Sequence, residues 1–414
     1  MSDQHLGQSY QGDIVVIGGG TAGIAFVASL LKRDPSLNIT VIEPSAYHYY
    51  QAAWTLVGGG VYELENTVRP MSEVMPSQAK WLQAAVNHID PQNRQLILDN
   101  GRSVTYQNLI VCPGLRLAWE KIEGLSATLG HNGVTSNYSY QHAAYTWHRV
   151  QSLRTGKAIF TQPGMPIKCA GAPQKALYLS CDHWLRQDVL KNLDVEFNLA
   201  GAALFGVPAF VAPLMKYIEK YRARLAFNSQ LVKVDGPAQT AWFEVKNAAG
   251  EVTLQAKKFD FLHVVPPQVP PDFICHSALA NADGWCDVDA HSLQHVRYPD
   301  VFALGDICST GNAKTAAAVR KQVVVVAENL LALRKRQPLV RQYDGYGACP
   351  LTVERGKVIL AEFGYAGKLL PTFPLNPTVA RRLAWYLKAN FLPWFYWHGM
   401  LKGREWLTRT SKVD

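Results

Sequence analysis

The 414-residue sequence predicts an α/β protein of two Rossmann-like domains, the first in two segments with the second inserted between them, followed by a membrane-associating helical region. Three observations carry this. A short apolar stretch at 13–17 runs through three glycines into a helical stretch at 21–32, then into a second strand at 39–42. The strand and helix alternation begins afresh near residue 158, and returns after a proline-rich crossing at 266–271. From residue 378 the chain becomes aromatic and basic.

Taken in order, the first segment of the first domain covers 1–150, with further strands at 95–98 and 109–112. The second unit covers 151–265, with a strand at 158–161, helices at 172–187 and 211–224, and a last strand at 263–265. The return segment, 266–340, holds an apolar strand at 301–304 and a long helix at 314–333, and 341–414 forms the C-terminal region. Roughly two or three domains fit this length. A composition of 48% hydrophobic and 18% charged residues excludes a disordered chain.

The formal charge of +9 is concentrated. Residues 378–414 hold seven basic side chains (Arg381, Arg382, Lys388, Lys402, Arg404, Arg409, Lys412) against Glu405 and Asp414, and so supply five of the nine charges. The basicity belongs to the tail, and no nucleic-acid partner is expected. Residues 1–13 are polar and carry neither a secretory signal nor an Arg-rich transit peptide, which predicts a cytoplasmic start. Seven cysteines form no CxxC pair and no metal-like cluster, so no metal is expected. Any disulfide here would be catalytic rather than part of a framework.

Gly18, Gly20 and Gly23 fit GxGxxG after a strand and at the opening of a helix. The first permits a tight turn, the second lets the backbone approach a pyrophosphate, and the third allows close helix packing. Thr21 and Ala22 then offer helix N-terminal amides to the phosphates, and Glu43 stands where a carboxylate would accept hydrogen bonds from a ribose. A second segment favours non-covalent FAD over NAD. Asp306 ends a strand where it would reach the ribityl chain, and Lys314, Thr315 and Ala316 open a helix toward the pyrimidine edge of the flavin. Asp306 alone would read equally as a helix cap. The stretch 199–206 lacks the second glycine of a nicotinamide site, which disfavours NADH.

Cys169 lies between a strand end and a helix start beside Lys168 and Lys175, whose charge would favour its thiolate. Cys349 lies in a stretch with two glycines and a proline, and both cysteines read as exposed turn residues. Cys181, inside a helix, reads as packing, and Lys175 reads equally as a solvated helix lysine.

With Tyr50-Gln51, the stretches 54–58 and 136–139, the two cysteine motifs, 262–264 with Pro266-Pro267, Trp285, 287–289, Tyr298-Pro299, 314–319 and Tyr396-Trp397, the chain resembles the sulfide:quinone oxidoreductases of the mitochondrial type over nearly its whole length. That resemblance implies a Cys169/Cys349 disulfide or sulfur-bridged pair beside FAD. Hydrogen sulfide would attack on the Cys349 side, leaving a persulfide there. A Cys169 thiolate would then pass electrons through a charge-transfer complex or adduct at flavin C4a. The sulfur would go to glutathione, sulfite, coenzyme A or a second sulfide, and the electrons to a membrane quinone. Splitting the oxidation in this way replaces one difficult step with two easier ones. The family's other cofactor contacts fall on Thr21, Ala22, Gln51, Val86 and Ala316, while Cys112, His263 and His295 read as structural. Relatives of the mitochondrial type begin with a transit peptide, and its absence here points to the cytoplasmic face of a bacterial inner membrane.

In the tail, Leu383, Leu387 and Phe391 recur at helical spacing beside Arg381, Arg382 and Lys388. The uncharged run 389–401 is shorter than the ~20 residues that span a bilayer, so the tail lies on a membrane without crossing it. Phe391, Trp394, Phe395 and Trp397 are the candidate quinone and membrane contacts. A helix pair packed on the domain or on a homodimer partner would leave the same pattern. Two other functions stay open: a type II NADH:quinone oxidoreductase, which needs no cysteine pair, and a non-enzymatic FAD-stabilised binding protein.

Overall fold

A computed structural model describes residues 10–408 and 410–413; the reading of the chain start rests largely on residues outside this range. The strand β1 (Tyr10–Ile17) leads through the glycine turn into α1 (Thr21–Arg33) and β2 (Ile39–Ile42). Ile14, Val15 and Val16 are fully buried, as expected of a parallel strand covered on both faces. β3 (Lys80–Leu82), β4 (Val86–Asp90), β5 (Gln95–Leu98) and β6 (Ser103–Val111) complete most of the first sheet, in the order β3-β2-β1-β6-β5-β4.

The second sheet is parallel and contains β7 (Val134–Thr135), β8 (Gly156–Gln162), β9 (Leu193–Leu199), β10 (Arg224–Ala226) and β11 (Phe261–His263), in the order β7-β11-β8-β9-β10. Because β7 belongs to it, the boundary expected at residue 150 falls inside the second unit. The helix Ala172–Arg186 starts as expected, whereas the next spans Pro208–Lys220 and Arg224 opens β10 instead of closing that helix.

β12 (Val301–Ala303) returns to the first sheet and pairs in parallel with β6. It delivers Gly305-Asp306 to the same edge as the glycine turn. α2 (Ala316–Arg334) then packs against α1. The C-terminal region opens with an antiparallel hairpin, β13 (Gly347–Glu354) and β14 (Lys357–Phe363). It continues in a helical run of α3 (Arg382–Tyr386), a π-turn at Leu387–Phe391 and α4 (Leu392–His398), after which Ser411–Lys412 pairs back with Arg341–Gln342. Among the described residues no helix is long and apolar enough to cross a membrane.

Candidate active site

A cavity of about 230 Å³ collects residues from seven separate stretches. Gly20, Thr21 and Ala22 line it from the glycine turn, Gln51 and Thr55 from the following segment, Cys169 and Lys175 from the second unit, Asp306, Lys314, Thr315 and Ala316 from the return segment, and Tyr396 from the tail.

The residues present fit FAD. α1 begins at Thr21 after Gly20 as its N-cap, with no side-chain cap and no acid in its first turn, so its free amides and positive dipole end are available to a pyrophosphate. Gly18 has φ +103°, and a Cβ there would lie 2.5 Å from the Cys112 carbonyl oxygen. A Cβ on Gly23 would lie 1.9 Å from the Gly18 oxygen, so the helix can approach the turn only through glycine. Thr315 caps α2 by accepting from the Ala318 amide. The Thr55 hydroxyl and both side-chain polar atoms of Asn137 are buried without a partner and border the cavity, a polar edge open to a flavin ring.

Not every expected contact belongs to the wall of this cavity. Glu43 does not line the cavity; its two carboxylate oxygens accept from the Gly19 amide at 2.7 Å and the Ser45 amide at 2.8 Å, bracing the turn from behind. Val86 is packed in the core of the first sheet, also away from the cavity wall. The Lys314 ammonium donates to the Asp306 and Cys308 carbonyls at 2.6 and 2.9 Å, and so shapes the turn that carries Asp306.

The sulfur centre departs from the expected picture in one respect. Cys349 is not an exposed turn residue: it is fully buried within β13. Gly347 is required because a Cβ there would lie 2.9 Å from that of Ala313, and Pro350 is tolerated because this sheet has only two strands. Cys169 sits at φ +50°, uncommon for a residue with a side chain, and its amide donates to the Lys314 carbonyl at 2.8 Å. That hydrogen bond ties the cysteine to the segment that opens α2.

The two thiols act directly on each other and are polarised in opposite directions. Cys169 is held well below the usual thiol range by the hydrogen bond from Cys349, and by the charge and hydrogen bond of Lys175. Cys349 is pushed up by the same hydrogen bond and by burial. Lys175 is not solvated: it is 2% exposed, and its Nζ donates to Cys169 Sγ at 3.1 Å. Lys388 belongs to this centre rather than to a lipid-facing stripe, because it is buried and donates to the Ala52 carbonyl at 2.9 Å. Burial, reinforced by Lys175, lowers its pKa to about 7. Burial lowers Lys168 to about 8, and its ammonium reaches Gln51 Oε1.

The aromatic tail divides into two faces. Phe391 and Trp394 line an open apolar groove of about 560 Å³ between α3 and the β13–β14 hairpin, and Leu383 and Tyr386 in its wall are 70% and 65% exposed. Phe395 and Trp397, expected on the same face, are instead buried, and Trp397 packs edge-on to His48 and under the Arg69 guanidinium. The expected stripe treats the run as one regular helix, whereas the π-turn at Leu387–Phe391 rotates the residues that follow it.

His48 escaped the sequence reading. Its ring bonds the Gly19 carbonyl at 3.0 Å and the Tyr396 hydroxyl at 2.7 Å. Burial lowers His48 to about 4 and His263 to about 3, against 6.5 when unfolded. The unfolded chain therefore binds more protons below pH 6.5, and stability is complete above that value and lost as pH falls. Each histidine should cost about 2 kcal/mol between pH 6.5 and 5. Thermal melting across that interval checks this, and a flat melting temperature would contradict it.

Two dinucleotide-type domains, an anion-binding glycine turn and a polarised thiol pair whose Cys169 member lines the same cavity define a flavin-dependent disulfide oxidoreductase architecture. The sequence profile described as pyridine nucleotide-disulphide oxidoreductase matches residues 12–155. Mitochondrial sulfide:quinone oxidoreductase from Dictyostelium discoideum is 38% identical over 395 residues, covering 94% of this chain and 86% of that protein. Its counterpart from Mus musculus is 36% identical over 391 residues, with the same coverage of 94% and 86%. The solved structure of sulfide:quinone oxidoreductase from Aquifex aeolicus aligns with TM-score 0.78 at 19% identity, over 95% of this chain and 92% of that one, which shows a common fold. The chain belongs to the sulfide:quinone oxidoreductase family, and its cofactor is FAD.

Proposed function

We propose that this enzyme oxidises hydrogen sulfide at the Cys169/Cys349 pair and delivers the electrons through FAD to a quinone. The buried Lys175 ammonium 3.1 Å from Cys169 Sγ is the observation that carries the reading, and the opposite polarisation of the two thiols agrees with it. In the oxidised pair, hydrosulfide bonds to Cys349 Sγ as the bond to Cys169 breaks. Cys169 departs as the thiolate that Lys175 stabilises, because the thiol with the lower pKa is the better leaving group. The Cys349 persulfide then gives its outer sulfur to a small nucleophile, leaving a thiolate. Closure of the disulfide releases the two electrons taken from sulfide. Bound FAD supplies the two-electron relay to the quinone.

The cations Lys168, Lys175 and Lys388 near the pair favour anionic acceptors such as sulfite or the thiolates of glutathione and coenzyme A, with a second sulfide as a further acceptor. The exposed apolar groove walled by Leu383, Tyr386 and Trp394 suits a quinone ring and isoprenoid chain entering from a bilayer surface. Anaerobic addition of sulfide should bleach the flavin, and NADH should not. Bleaching by NADH alone would favour an NADH:quinone oxidoreductase.

A further inference from the structure

The tail reaches the cofactor site at its glycine-turn end, where Tyr396 also touches the cavity wall. Tyr396, in α4, is 2% exposed and stacks on Tyr50 with ring centroids 4.2 Å apart, and its hydroxyl lies 2.7 Å from both Thr21 Oγ1 and His48 Nε2. His48 Nδ1 lies 3.0 Å from the Gly19 carbonyl oxygen. A carbonyl only accepts, so Nδ1 carries the proton of the neutral ring and Nε2 must accept. Tyr396 therefore donates to His48, and its oxygen accepts from the Thr21 hydroxyl. The four groups form a directed ring that grips Gly19 on one side and Thr21 on the other, and the backbone between them is the segment whose amides face the cavity.

We propose that Tyr396 is a positioning residue of the FAD site, closing a Thr21–Tyr396–His48–Gly19 hydrogen-bond ring that holds the pyrophosphate-binding turn in its binding geometry, so that the C-terminal helical run latches the cofactor. With this ring open, the turn must be ordered by the cofactor itself, and affinity falls by the cost of that ordering. The tail has a second attachment to α1, where Glu405 bonds Ser29 Oγ at 2.6 Å and Arg33 at 2.5 Å, on the far side of the helix from the turn. That attachment lies outside the ring and supplies a control.

Tyr396→Phe keeps the stacking on Tyr50 and removes one hydroxyl. Flavin release from the holoenzyme, followed by fluorescence after dilution, should quicken about fivefold or more. The rise in melting temperature that FAD confers should shrink, because a weaker ligand stabilises less. His48→Asn opens the ring from its other side and should give the same pair of changes. Glu405→Gln should lower the melting temperatures of apo and holo forms together and leave flavin release unchanged. Equal destabilisation of apo and holo forms by Tyr396→Phe and His48→Asn, with release unchanged, would overturn the proposal. So would a Glu405→Gln chain that loses flavin as fast as they do.

Discussion

Replacing Cys349 with serine should lower sulfide-dependent quinone reduction by at least about 10³-fold while the protein keeps its yellow flavin. Serine has nearly the shape of cysteine, so the fully buried site in β13 stays filled, and the loss reports chemistry rather than packing. A hydroxyl can neither close a bond to Cys169 nor carry a sulfane sulfur. Cys169→Ser should be equally inactive, since one partner alone cannot store the two electrons of sulfide. The double variant should be no worse than either single one, because residues that act as a unit do not add. Steady-state quinone reduction checks all three, and full activity in either single variant would remove the pair from the mechanism.

Lys175→Met is expected to give the second largest effect, about 10²-fold in kcat/KM at pH 7. Methionine fills the buried volume without the ammonium that lies 3.1 Å from Cys169 Sγ. The charge and hydrogen bond of Lys175 both lower the Cys169 pKa, so their removal raises it. The variant's activity should accordingly recover in part as pH rises, with the acid limb of its profile displaced upward. A uniform fall at every pH would assign Lys175 a purely packing role.

The parts of the fold legible in the sequence were those fixed by local pattern. β2 and β5 fall where expected, α1 ends one residue later, and the return strand places Asp306 on the edge that carries the glycine turn. Apolar strands and a triple-glycine turn specify themselves within a few residues. The misreadings share one cause, which is burial supplied by distant segments. Gly347 and Pro350 look like loop residues until Ala313 requires the glycine and a two-stranded hairpin admits the proline. Lys388 reads as a basic surface residue until the helical run folds over Ala52. Trp397 reads as a membrane anchor until the π-turn carries it inward toward His48 and Tyr50. One signal for Lys388 was present in the sequence, a single cation between Leu387 and Ala389 beside an uncharged run.

The boundary near residue 150 failed for a related reason. β7 is only two residues long and acquires its place by pairing with β11, more than a hundred residues later in the chain. A segment that short carries no periodicity of its own. His48 escaped because its partner Tyr396 arrives from the opposite end of the sequence.

The most direct test mixes oxidised holoenzyme with one equivalent of sulfide without oxygen or quinone, then alkylates the protein rapidly and maps the modified cysteines by mass spectrometry. The account predicts one extra sulfur on Cys349, a free Cys169 trapped as its alkylated thiol, and flavin that bleaches as the sulfur is passed to added sulfite. Flavin bleaching with no sulfur on either cysteine, or with the extra sulfur on Cys169, would contradict it.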